Sequence, residues 1–195
     1  MPKSQLDKFT GWAFILGAIA FISILQGSDP VAIPGSEISA ILLAVGLLGL
    51  RARYGEHIGG FGKNSLLFGA SGPFVLVIFI MVGLAGFVTE TQIGQGLWIL
   101  IFGGPAITLL GLTMFGFAAL RNKPMRRWNW LPILAGIWYP GIYFFFAGYI
   151  FTHHDAALAD QYWPLIETML LIQFGALCLL GAVLNDNATE EVATG

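Results

Sequence analysis

The chain predicts an all-α membrane protein, a polytopic transmembrane bundle of six helices, and three observations carry that prediction. Of its 195 residues, 56% are hydrophobic and only 10% are charged. An average soluble domain carries about 25% charge, so this chain has too little polar surface to cover itself. The apolar residues also fall into six runs, most of them near the ~20 residues that a helix needs to cross a hydrocarbon core. Finally, all nine Lys and Arg residues fall on one side when those runs are threaded alternately through a bilayer.

The first run, roughly Phe9–Gln26, is longer than a signal-peptide h-region of about 7–15 residues. No small-x-small cleavage site follows it, so it reads as a retained helix. The second, Ile38–Leu50, is short and is extended to about Tyr54, with Arg51 and Arg53 snorkelling to the surface. Ser65–Val88, Leu97–Leu120, Trp130–Phe151 and Pro164–Leu184 complete the set. Residues 1–185 form one domain, and 186–195 are a short acidic tail expected to be disordered. The 26 glycines fit close approach between helices in lipid.

Sidedness follows from the basic loop Arg121, Lys123, Arg126 and Arg127, with Trp128 and Trp130 beside it. Lys and Arg are retained on the cytoplasmic side, and Trp settles at headgroup level. With the N-terminus inside, Lys3, Lys8, Arg51, Arg53 and Lys63 join that loop. The outer segments then hold only acids: Asp29, Glu37, Glu90, Asp155, Asp160 and Glu167. Both termini are expected in the cytoplasm, and the bilayer is read as a bacterial cytoplasmic membrane. The loop's four cations suit anionic lipid headgroups, although insertion topology alone explains them. A net charge of −2 points away from nucleic acid. Cys178 is the single cysteine, which excludes an intramolecular disulfide.

The six runs also read as three helical hairpins in series. Gly17, Gly69 and Gly136 start the outgoing helices alike, and Gly69 to Pro73 and Gly136 to Pro140 repeat a G-x-x-x-P spacing. Gly46 to Arg51 and Gly116 to Arg121 end the returning helices alike. Gly/Leu-rich sequence also produces such matches by chance, so the repeat stands beside six unrelated helices as an alternative. The block Leu47-Leu48-Gly49-Leu50-Arg51-Ala52-Arg53-Tyr54-Gly55-Glu56-His57-Ile58-Gly59-Gly60-Phe61-Gly62 resembles a family of small six-helix bacterial membrane proteins. The same holds for Phe115 to Arg121, Arg127-Trp128 and Leu131 to Gly136. The resemblance covers Ile38 to Gly136 best; it implies six helices and no activity.

Pro73, Pro105 and Pro140 interrupt three consecutive runs, each about 12–14 Å from its helix start at ~1.5 Å per residue. Proline frees the carbonyl one turn back, and freed backbone at mid-depth is how many transporters build a binding site. Ser71, Thr108, Tyr139, Tyr143 and Gln173 are the polar side chains expected at that level. The competing reading is that neighbouring helices re-satisfy the kinks. No Asp, Glu, Lys, Arg or His is expected in mid-span, so a cavity there would be uncharged and proton-coupled transport is not expected.

Two stretches point to enzymes instead. Gly69-Ala70-Ser71-Gly72 matches the G-x-S-G serine motif of rhomboid intramembrane proteases, but no His is placed to take the proton of Ser71. Small residues at this spacing more often pack helices. His153, His154 and Asp155 are ligand types for Zn²⁺ or a similar ion, yet no helical His pairing fixes a geometry. A solvated loop explains them equally. The leading expectation is a non-enzymatic membrane protein without a cofactor. It would bind or pass an uncharged or lipid-like molecule, or serve as a subunit of a membrane complex. The alternative is a membrane-embedded hydrolase, acting through Ser71 or through a metal at His153 and His154.

Overall fold

The computed structural model describes residues 3–22, 29–75, 77–78, 90–153 and 157–194, and every regular element among them is helical. In chain order they are α1 (Lys3–Ile22), α2 (Asp29–Tyr54), α3 (Gly59–Ala70) and α4 (Glu90–Asn122). A 3-10 turn at Arg126–Trp128 leads into α5 (Leu131–Gly136), α6 (Trp138–His153) and α7 (Ala157–Thr194). Gln5–Ile22, Gly103–Asn122 and Pro164–Asp186 are long and apolar enough to cross a membrane, by length and composition. Of the Gly103–Asn122 stretch, 72% is buried inside the protein, against 44% for each of the other two. The C-terminal part of α4 is therefore the most enclosed, with α2, α3, α5 and α6 packed on the helix; α7 returns to α1.

The register is antiparallel. Asp7 pairs with Arg53, and Gly49, Gly46 and Gly17 abut Thr10, Phe14 and Leu43. Gly62 abuts Ala118, and Gly69 lies so close to Gly111 that a Cβ would sit 3.0 Å from the Gly111 Cα and 2.9 Å from the Thr108 carbonyl oxygen. That is the close approach that small residues permit. Gly116 and Gly136 abut Ile133 and Thr113, and Gly181 returns to Gly11.

Polarity is arranged inside out. On α1, Phe9, Trp12, Leu16 and Ile19 form a stripe exposed at 56%, 55%, 47% and 53%, while Asp7 and Thr10 are buried at 0% and 1%. Leu165, Ile172 and Leu179 repeat the pattern on α7, with Gln173 buried beside them. In water the hydrophobic effect drives the opposite sorting.

Three boundaries depart from the sequence reading. α2 begins at Asp29, not near Ile38, so Glu37 lies inside a helix and is partly buried. Asp29-Pro30 is a helix-start signature, since proline is tolerated in the first turn; a hydropathy count does not register it. The run beginning at Ser65 does not stay α-helical, because Pro73 has no N–H to give the Gly69 carbonyl. Gly72 N–H takes that carbonyl at 3.1 Å, and Phe74 and Val75 N–H reach Ser71 and Gly72 at 3.0 and 3.1 Å. These are i to i−3 bonds, the tighter 3-10 pattern. Finally, α7 carries helical backbone through Thr194, where a disordered tail was expected. Ala, Glu and Thr in 188–194 hold no Gly or Pro to stop it.

Candidate functional site

The elements meet at one level, where the proline interruptions lie. Pro140 cannot donate to Gly136, and the α5–α6 junction bends there, bridged by Ile137 N–H to Ile133 at 3.0 Å and Gly141 N–H to Ile137 at 3.3 Å. Pro105 sits inside α4 without ending it. Read along the antiparallel register, Pro73, Pro105 and Pro140 stand within about one helical turn of a common height, ~5.4 Å.

Contacts at this height close into a ring. Gly72 abuts Gly104 and Thr108; a Cβ on Gly104 would touch Ala40 at 3.8 Å, and one on Gly103 would lie 3.2 Å from the Tyr143 hydroxyl. Tyr139 donates its backbone N–H to Gln173 Oε1 at 2.7 Å. Its ring meets Phe21 edge-on at 5.1 Å and stacks on Tyr143 at 6.3 Å. Glu37 lies one helical turn before Ala40 on α2. Thus α1, α2, α4, α6 and α7, with the turn after α3, all contribute to one polar layer.

Hydrogen bonding sorts the polar groups of the layer into two kinds. Thr108 is satisfied by its own helix, its Oγ1 donating to the Gly104 carbonyl at 3.0 Å, the usual escape for Thr in a helix. Others are buried without a partner: Gln173 Nε2, Ser39 Oγ and Glu37 Oε1. Gln173 is 0% exposed. An unmet buried polar group costs about 1–3 kcal/mol, and these three side chains lie on α2 and α7.

Of the residues singled out in the sequence, the structure brings Thr108, Tyr139, Pro140, Tyr143 and Gln173 into this layer, and Pro73 and Pro105 border it. Ser71 is exposed and donates its Oγ to the Phe68 carbonyl at 2.6 Å. His153 ends α6, but its side chain, with His154 and Asp155, lies outside the described residues. Among the described residues no three His, Cys, Asp or Glu side chains gather as a metal site. In the basic loop, Arg121, Lys123 and Arg127 are exposed. The Arg127 guanidinium lies 5.0 Å over the Trp128 ring, which sits 6.1 Å from that of Trp130. The side chain of Arg126 is outside the described residues.

Glu37 and Ser39 are the layer residues that sequence reasoning missed. Glu37, placed outside the helices in the sequence reading, sits in α2 and is the one acidic side chain described in this layer. In the structure Glu37 lies one turn before the buried stripe Ala40, Leu43, Leu47 and Leu50. No protein-family model, curated protein or solved structure matches the chain, so the site is read from its own chemistry.

Proposed function

We propose that this is a multi-pass integral membrane protein, without a catalytic role, that binds a lipid-like molecule between its helices in the polar layer. The inside-out sorting on α1 and α7 supports residence in lipid, where apolar side chains face outward at no cost and polar ones turn inward. The antiparallel register supports six crossings with both termini cytoplasmic, as the one-sided distribution of Lys and Arg suggests. A bacterial cytoplasmic membrane and kinship with the small six-helix proteins it resembles belong to the same proposal. The exposed cations of the Arg121–Arg127 loop would then rest on anionic headgroups.

The observation that carries ligand binding is Gln173, wholly buried, with one amide oxygen engaged by Tyr139 and its Nε2 donor unmet. A bound molecule with a hydrogen-bond acceptor would meet that donor at the height where the helices are interrupted. The reading is tested by native mass spectrometry of protein extracted from membranes in mild detergent. A retained amphipathic adduct is expected, and Gln173→Leu should deplete it. A protein that leaves the membrane in alkaline carbonate without detergent, or a Gln173→Leu variant with the adduct undiminished, would overturn it.

A further inference from the structure

The class of molecule follows from Glu37, the one acidic side chain described in the layer, an inference that rests on reading the layer as a ligand site. Glu37 Oε1 is buried without a hydrogen bond, and no ion pair reaches Glu37 among the described residues. All nine basic residues lie at other places in the chain, none within ten positions of Glu37. A carboxylate drawn partly out of water is stabilised by a proton, by hydrogen-bond donors or by an opposite charge brought to it.

The aromatic side chains of the same layer favour an opposite charge. Tyr139 and Tyr143 stack at an interplanar angle of 19°, and Phe21 and Phe144 close their edges at 5.1 and 5.3 Å. Aromatic faces attract a cation within about 6 Å of the ring centroid, more strongly once desolvated. Tyr143 is only partly buried, and its hydroxyl packs against Gly103, where a Cβ would lie 3.2 Å away. We propose that the layer binds an organic ammonium ion with an apolar body, its charge on Glu37 and its head against the Tyr139 and Tyr143 rings. The Gln173 Nε2 donor then meets an oxygen on the same molecule. An anion is disfavoured by Glu37, and a small hydrated metal ion by the aromatic walls.

Two isosteric probes separate charge from shape: phenyltrimethylammonium and its uncharged carbon analogue, tert-butylbenzene. Both are titrated into the full chain in phosphatidylcholine nanodiscs, with saturable binding read by ligand-observed NMR. The cation is expected to bind about tenfold tighter or more, a difference of ~1.4 kcal/mol. Glu37→Gln should abolish that preference, Glu37→Asp should keep part of it, and Tyr143→Leu should weaken the cation more than the neutral probe. If both probes bind wild type alike and Glu37→Gln changes neither, the cation inference falls while the ligand site stands. If neither binds saturably to wild type, the site and the inference fall together.

Discussion

Among the described residues two acidic side chains enter this bundle, and they are treated differently. Asp7, buried toward one end, is met by Arg53 Nε at 3.3 Å across the α1–α2 pair. Glu37, in the polar layer, is met by no cation among the described residues. The first is closed by a cation of the chain itself; the second is open among the described residues, in keeping with the proposed ligand. Removing a partner from the closed site should cost stability, whereas neutralising the open one should cost binding.

The largest effect is expected at the closed site. Arg53→Met removes the guanidinium that meets the buried Asp7, a loss expected to cost up to about 3–5 kcal/mol. The double variant Asp7→Asn with Arg53→Met should recover most of it. Thermal unfolding in detergent, followed by circular dichroism, checks both. Equal loss in the single and double variants would show that the α1–α2 pair does not depend on this ion pair.

Gln173→Leu comes next, at about 1–2 kcal/mol, because it leaves the buried Tyr139 N–H without its acceptor. The same change removes the unmet Nε2, which keeps the cost near the lower figure. Glu37→Gln should move stability by less than about 1 kcal/mol, in either direction, since it breaks no ion pair. A loss above ~2 kcal/mol there would erase the contrast with Asp7 and make Glu37 a structural residue.

The same contrast explains what the sequence could show. The all-helical class was legible because hydropathy and charge act along the chain. The height of the prolines was legible too, because a constant rise per residue converts sequence position into depth. Glu37 was hidden for the complementary reason. Its depth depends on where α2 begins, which Asp29-Pro30 decides by backbone chemistry and not by hydropathy. Its pairing depends on which residues of other helices stand opposite, and no local pattern states that. Asp7 shows the limit from the other side: one turn before an apolar run it looks like a solvated terminus. Only the register against α2 reveals Arg53 and makes it part of the interior.

Ser71 marks the small end of the scale and tests the reading from outside. Its hydroxyl is exposed and bonded within its own turn to the Phe68 carbonyl at 2.6 Å, so neither its removal nor its chemistry should matter much. Ser71→Ala should shift stability by no more than about 0.5 kcal/mol and leave probe binding in the layer unchanged. A serine nucleophile needs a base at hydrogen-bond distance to take its proton. Phe68, through its carbonyl, only accepts that hydrogen bond and cannot carry the proton away. A fluorophosphonate probe should therefore leave wild type unmodified under conditions that label a serine hydrolase. Labelling that disappears in Ser71→Ala would move the functional centre from Glu37 and Gln173 to the turn beside Pro73. The contrast between a closed and an open acid would then describe the scaffold of an enzyme.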